Sequence, residues 1–233
     1  MTQSNTIWTI KEAVKATQGE CDGEWSVTGI SIDTRTIQKG DLFVALIGEN
    51  GNGHDYVVEA IEKGASAAMV SHPIDGVDSK KLLIVKDTLK AMEALGHAAR
   101  ERTAAKIIGV TGSVGKTGTK EMLATAFGVQ GQIHASIKSY NNHWGVPLSL
   151  SGMHAGTDYG IFEMGMNHPG EITPLTKMVQ PDIAIITTIA PVHIEYFEDG
   201  MDGIINAKAE IFEGVVKGGS VILNHDLESY TVL

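Results

Sequence analysis

The chain has 233 residues, with 18 Lys+Arg against 28 Asp+Glu and a formal net charge of −10. That length suggests one or two domains, and 42% hydrophobic with 20% charged residues is a globular composition rather than a disordered one. The acidic balance argues against non-specific nucleic-acid binding, which needs a basic footprint, but leaves room for a local basic pocket around a small anion. The 27 glycines exceed ordinary usage and, without low-complexity runs, point to tight turns and close backbone approach to ligands. Cys21 has no second cysteine to pair with and reads as a bystander thiol in a reducing compartment. The opening MTQSNTIWTI lacks a cationic stretch followed by an apolar run, and no apolar stretch reaches the ~20 residues of a membrane span. These features predict a cytoplasmic protein with no membrane span.

In chain order, residues 25–33 and 41–48 read as strands and 54–64 as an amphipathic helix. Residues 67–70 and 82–85 read as short buried strands. Residues 87–102 read as a helix, with Asp87 at its N-cap and Leu89, Met92, Ala94 and Leu95 along one side. From Lys106 the pattern becomes a strict strand–turn–helix alternation. Strands are expected at 106–111, 159–164, 182–189 and 220–223, and helices at 116–128, 168–179 and 201–215. Continuous apolar strands imply a mainly parallel sheet covered by helices on both faces. The expected fold class is therefore α/β, with a small N-terminal α/β domain (1–102) followed by a P-loop central domain (103–233). Ligands in open α/β sheets bind outside the carboxyl ends of the strands. The polar clusters at 112–117, 163–168 and 190–193 all fall there.

Thr111-Gly112-Ser113-Val114-Gly115-Lys116-Thr117 runs from strand through a glycine-rich turn into a helix. Such a turn lets backbone N–H groups converge on phosphate oxygens, with Lys116 reaching the phosphates and the Thr117 hydroxyl ligating Mg²⁺. The longer pattern G-x-x-x-x-G-K-[ST] is not met, because Val110 stands at its first position. An ordinary strand–helix turn carrying Gly-Lys-Thr is the bland alternative. Glu163 ends an apolar strand, two steps of sheet topology away from this loop. Its carboxylate is either a hard-oxygen ligand for Mg²⁺ or the cap of a neighbouring helix. His193 follows another strand; a lone histidine is more often structural, and without His-Glu-x-x-His or a Cys pair zinc is not supported. Lys208 lies on a helix with apolar Ile204, Ile205, Ile211 and Phe212, where a lysine is ordinarily a solvated charge.

Thr111–Thr117 resembles the ATP loop of the Mur ligases, and the resemblance extends over almost the whole chain. Ser31-Ile32-Asp33-Thr34-Arg35 followed by Gly40-Asp41-Leu42-Phe43-Val44-Ala45 is similar to a signature of their first domain. So is Gly51-Asn52-Gly53-His54-Asp55-Tyr56, with Asn52 where Asp is usual. Within the family, Asn141-Asn142-His143-Trp144-Gly145-Val146-Pro147 and Glu163-Met164-Gly165-Met166-Asn167-His168-Pro169-Gly170-Glu171-Ile172 resemble the MurF type.

That resemblance implies an ATP-dependent amide ligase of peptidoglycan precursor synthesis. It would add D-alanyl-D-alanine to UDP-N-acetylmuramoyl tripeptide through an acyl phosphate, with ATP and Mg²⁺. It implies Lys116, Glu163, His193 and Lys208 as catalytic, and Thr117, Glu163, His193 and Lys208 as metal-binding, Lys208 being carried as a carbamate. Residues Thr111 to Thr117 and Asn224 fall to the nucleotide. Thr34, Arg35, Asn141, Asn142, Asn167 and His168 fall to the substrates, although a surface Arg35 in a salt bridge is a fair alternative. Mur ligases have three domains in series, so the third domain and part of the central one are expected to be missing here, and the 233 residues alone are expected to be inactive in synthesis. The competing readings are another Mur-type or folylpolyglutamate-type ligase, and a nucleotide- or UDP-sugar-binding fragment without catalysis.

Overall fold

The computed structural model describes residues 5–48, 51–137 and 140–233; the first four residues of the opening segment lie outside these. The chain forms two compact units, Met1–Ala99 and Arg100–Leu233.

The first unit begins with β1 (Trp8–Thr9) and α1 (Ile10–Thr17), whose start is set by a capping box. The Thr9 hydroxyl accepts from the Glu12 N–H, and the Glu12 carboxylate accepts the Thr9 N–H at 2.8 Å. Next come β2 (Ser26–Val27), β3 (Gly29–Ser31), β4 (Asp41–Val44), β5 (Ile47–Gly48) and β6 (Gly51–Asn52). A 3-10 turn at Gly53–Tyr56 leads into α2 (Val57–Glu62), followed by β7 (Ala67–Val70), β8 (Leu82–Ile84) and α3 (Thr88–Glu101). Strands β3, β4, β7 and β8 make a parallel four-stranded sheet in that order. Phe43, Ala68, Val70 and Leu82 are buried with Val57 and Ala60 of α2.

Three elements of this unit differ from the expectation. The strand expected over 25–33 is two strands in different sheets, because the Thr28 N–H leaves the ladder for the Gly40 carbonyl. The strand expected over 41–48 breaks after Val44, where a tight turn bonds the Leu46 N–H to the Val44 carbonyl. On α3, Asp87 does cap the Lys90 N–H at 3.0 Å, but the buried stripe is Thr88, Ala91, Met92, Leu95, Gly96 and Ala99. Leu89 and Ala94 are only half-buried.

The second unit contains β9 (Lys106–Thr111), α4 (Lys116–Gly128), β10 (Ile133–Ala135), α5 (Gly145–Ser151), β11 (Tyr159–Glu163), α6 (Ile172–Val179), β12 (Ile183–Ile186), α7 (Gly200–Ala209) and β13 (Ser220–Leu223). All five strands are parallel, in the order β10-β11-β9-β12-β13. This is the α/β architecture expected from the sequence. Strand β9 is central, and Ile107, Ile108 and Val110 are buried. Glu163 pairs directly opposite Val110, so β11 is the immediate neighbour of the loop's own strand, not two steps away.

Strand β10 and helix α5 are not among the elements expected from the sequence. Every residue of α5 is buried, so it has no polar face and no helical period to detect. Its Pro147 sits in the first turn, where the missing N–H costs nothing. Helix α6 begins at Ile172 rather than at 168, because Gly170 has φ +85° and cannot start it. Helix α7 ends at Ala209 and tightens into a 3-10 turn, Glu210–Gly214. Arg100 donates from Nε to the Val179 carbonyl and from Nη2 to the Gln180 carbonyl, both at 2.9 Å, a cation placed on the carbonyl end of α6.

His54 makes the first unit pH-sensitive. It is 5% exposed; its Nε2 accepts the Ser71 N–H at 2.9 Å, so Nδ1 carries the proton and donates to Asn52 Oδ1 at 2.7 Å. Burial, with the stacked His72 ring 4.5 Å away, lowers its pKa below 6.5 against the pull of Asp55. A histidine held neutral contributes stability that is complete above its unfolded pKa and is lost as pH falls below it. Denaturant titrations should therefore show lower stability at pH 5.5 than at pH 7.5, in a direction that His134, also lowered by burial, reinforces. His54→Gln should reduce this pH difference; an unchanged difference would contradict the assignment.

Candidate functional site

The turn between β9 and α4 is possible only with glycine at two places. Gly112 has φ +145° and Gly115 φ +90°, and a Cβ on Gly112 would collide with Thr187 Oγ1. The turn is stapled to the chain leaving β12. The Ser113 N–H donates to the Thr188 carbonyl at 2.7 Å, the Ser113 hydroxyl to the Ala190 carbonyl at 2.9 Å, and the Thr187 hydroxyl to the Val114 carbonyl at 2.6 Å. Gly115, at the N-cap of α4, offers no side-chain acceptor. The opening N–H groups of a helix left without such a cap are suited to an anion.

Three side chains converge beside this turn. Glu163 is 1% exposed, and its Oε2 accepts the Thr117 hydroxyl at 2.8 Å while Oε1 accepts Asn141 Nδ2 at 2.7 Å. The Glu163 N–H is held by Ser136 Oγ at 3.3 Å, and the Ser136 carbonyl takes the buried Lys120 ammonium at 2.7 Å. Lys116 folds back so that Nζ donates to the Gly112 carbonyl at 2.8 Å. Burial lowers its pKa, and the negative charge of Glu163 opposes that shift.

A cleft opens over this group. Of the residues expected from the sequence, Gly112, Ser113, Lys116, Asn141, Asn167, His193 and Lys208 line it. Lys208 is 3% exposed, and burial with the nearby Lys116 lowers its pKa to about 8, Glu210 pulling the other way. His193 is exposed and has φ +61°, a left-handed turn that brings it to the cleft. Gly165, Met166 and Val192 also line the cleft and were overlooked as site residues. A Cβ on Gly165 would lie 2.7 Å from Asn141 Oδ1, so glycine is what lets Asn141 reach Glu163, a closeness that only the fold reveals.

Other expected residues are engaged elsewhere. Asn142 Oδ1 accepts the Gly145 N–H at 2.9 Å and so opens α5. His168 Nδ1 lies 3.0 Å from Glu171 Oε1, and its ring packs on Tyr196 at 4.9 Å. Asn224 Oδ1 accepts the Asp226 N–H at 3.0 Å in the turn after β13. Thr34 and Arg35 belong to the first unit. Arg35 is exposed and forks onto Asp33, with Nε–Oδ1 2.9 Å and Nη2–Oδ2 2.6 Å, which is the surface ion pair named as its alternative. The Thr34 carbonyl accepts Lys63 Nζ at 3.0 Å.

The donor set suits Mg²⁺. A hydroxyl and a carboxylate, both hard oxygens, lie side by side in Thr117 and Glu163. Among the described residues no cluster of three or more His, Cys, Asp or Glu could hold an ion alone. That combination fits a cation that keeps several waters and is shared with substrate phosphates.

The family pattern described as the Mur ligase middle domain matches residues 110–233, and that of the Mur ligase family, catalytic domain, matches residues 26–103. The chain belongs to the Mur ligase family. It is 38% identical over 224 residues to a UDP-N-acetylmuramoyl-tripeptide–D-alanyl-D-alanine ligase of Rickettsia prowazekii, a match covering 96% of this chain and 49% of that relative. The Bacillus subtilis protein of the same name is 36% identical, over 93% of this chain and 48% of its own length. Among solved structures, MurF from Acinetobacter baumannii superposes with a TM-score of 0.82 at 35% identity, over 95% of this chain and 49% of that one. MurF from Thermotoga maritima, solved in complex with ADP, gives 0.67 at 28% identity, over 85% and 46%. The chain spans about half the length of the curated relatives it matches.

Two glycine substitutions separate the constrained turn from the helix beside it. Gly112→Ala should destabilise the protein by about 1–3 kcal/mol, through its left-handed backbone and the clash with Thr187. Gly118→Ala, in α4 with open space around its Cβ position, should be neutral or stabilising by up to about 1 kcal/mol. Equal effects in thermal denaturation would refute this account of the turn.

Proposed function

We propose that this protein acts in an ATP-dependent amide ligation of peptidoglycan precursor synthesis, joining D-alanyl-D-alanine to UDP-N-acetylmuramoyl tripeptide in the cytoplasm. Residues 103–233 bind ATP, and residues 1–102 bind the UDP-substrate. The observation that carries this reading is the convergence of Thr117 and Asn141 on the buried Glu163 beside an uncapped helix start, with Lys116 folded onto the Gly112 carbonyl of the same turn. Among the described residues no helix is long and apolar enough to cross a membrane.

A free carboxylate is a poor acyl donor. The γ-phosphoryl group passes first to a carboxylate oxygen of the tripeptide, giving an acyl phosphate and ADP. The amine of the dipeptide then attacks the acyl carbon, loses a proton and expels phosphate. Lys116 leaves the Gly112 carbonyl for the phosphates, and the turn from Thr111 to Thr117 wraps them. Thr117 and Glu163 would hold one Mg²⁺, and His193 with the carbamate form of Lys208 a second; these ions would offset phosphate charge during transfer. Asn141 keeps the Glu163 carboxylate aimed, while Asn167 and His168 stand on the substrate side.

Lys208 serves this site as a carbamate. A pKa of about 8 leaves far more free amine near neutrality than an ordinary lysine has. That amine adds to CO₂, a proton leaves, and a cation beside Lys116 becomes an anion.

Thermal shift tests the nucleotide assignment, because a ligand at 100 times its Kd stabilises by about 2.7 kcal/mol. Mg·ATP and UDP-muramoyl tripeptide should each raise the melting temperature. Lys116→Ala should abolish the first shift and leave the second; loss of both would overturn the division of ligands between the two parts of the chain. Carbamylation is read separately: ¹³C-bicarbonate should produce a carbamate carbon resonance that is lost in Lys208→Ala. Its absence from the unsubstituted protein would exclude the modification.

A further inference from the structure

Helix α6 is not capped from its own sequence. Glu171, at its N-cap, makes no side-chain bond to the helix. Its carboxylate turns back instead to the Asn167 N–H at 2.7 Å and to His168. Helix starts need acceptors for their first N–H groups and favour negative charge. Here the acceptor comes from about forty residues downstream. Glu210 Oε1 accepts the Gly170 N–H at 2.6 Å, and Oε2 accepts the N–H groups of Ile172 at 3.0 Å and Thr173 at 2.9 Å, with the Thr173 hydroxyl at 3.3 Å.

The contact around this carboxylate is tight. Thr176 donates its hydroxyl to the Ile211 carbonyl at 2.8 Å, and Lys177 pairs with Glu213 at 2.8 Å. A Cβ on Gly214 would collide with the Thr176 backbone. Glu210 also stands two residues after Lys208, where α7 passes into the 3-10 turn. The segment it grips follows directly from the cleft residues Met166 and Asn167.

We propose that Glu210 is a positioning residue whose carboxylate fastens the segment after β11, carrying Met166 and Asn167, to the end of α7, carrying Lys208, so that two walls of the cleft keep one geometry. The importance of that geometry rests on the ligase reading above. Glutamate suits the role because two carboxylate oxygens serve four donors at once. Glutamine retains one acceptor oxygen and alanine none.

The test uses the 233-residue chain, labelled with ¹³C and ¹⁵N, free of ligand, as Glu210→Gln and Glu210→Ala. In Glu210→Gln, amide hydrogen exchange at Gly170, Ile172 and Thr173 should rise by about tenfold or more. The Met166 methyl and the Lys208 Cε resonances should shift or broaden together, while the amides of Gly112 to Thr117 keep their wild-type positions. Glu210→Ala should exaggerate each change; if it fails to fold, the glutamine variant decides. Faster exchange with unchanged Met166 and Lys208 resonances would make Glu210 a helix cap alone and overturn the proposal, as would unchanged exchange. Adding Mg·ADP to the unsubstituted chain is a separate arm. Failure to bind there counts against the ligase reading, while the ligand-free comparison still decides the role of Glu210.

Discussion

A carboxylate shielded almost completely from water must be met by donors, or its burial is prohibitively unfavourable. Glu163 is such a group, and satisfying it dictates much of the second unit. Its donors are Thr117 in the first turn of α4 and Asn141 in the connection before α5. Neither would be in reach unless β11 lay directly against β9 in the observed register. Ser136, after β10, holds the Glu163 backbone and is itself bonded to Lys120. Strands β9, β10 and β11 and helix α4 are thus tied to one residue, through its backbone and its carboxylate together.

Around that carboxylate the charge is opposite to that of the molecule. The chain carries −10 overall, yet Lys116 and Lys208 face the same cleft, and the charge of Lys116 helps lower the pKa of Lys208. Burial costs each lysine part of its affinity for a proton. Two cations sharing a desolvated space are unfavourable until an anion joins them, so the arrangement favours a phosphate-bearing ligand or a change of sign at one lysine.

The parts legible in the sequence were those whose signals are local. The turn from Thr111 to Thr117 announces itself by glycine spacing between a strand and a helix; β9, β7 and β13 begin and end where their apolar runs do, and α4 spans the helix expected over 116–128. Non-local satisfaction was not legible. Asn141 stands out only by resemblance, as a substrate residue, and nothing local ties it to Glu163; Glu210 lies within the helix expected over 201–215, and nothing local ties it to the start of α6. Helix α5 escaped detection because complete burial erases amphipathic periodicity. Arg35 is the converse case: a plausible anion fork by residue type, it is engaged by its own neighbour, Asp33.

The strand order carries a last implication. The chain lays down β9, places β10 and β11 on one side of it, then crosses to the other side for β12 and β13. Beside β9 lies a topological switch point, where successive connections depart in opposite directions and a crevice is left at the carboxyl ends. No side chain has to be sacrificed to hollow out the cleft; it follows from winding direction. Variation in the turns after β9, β11 and β12 can therefore re-equip the crevice for a different ligand while the buried strands beneath stay as they are.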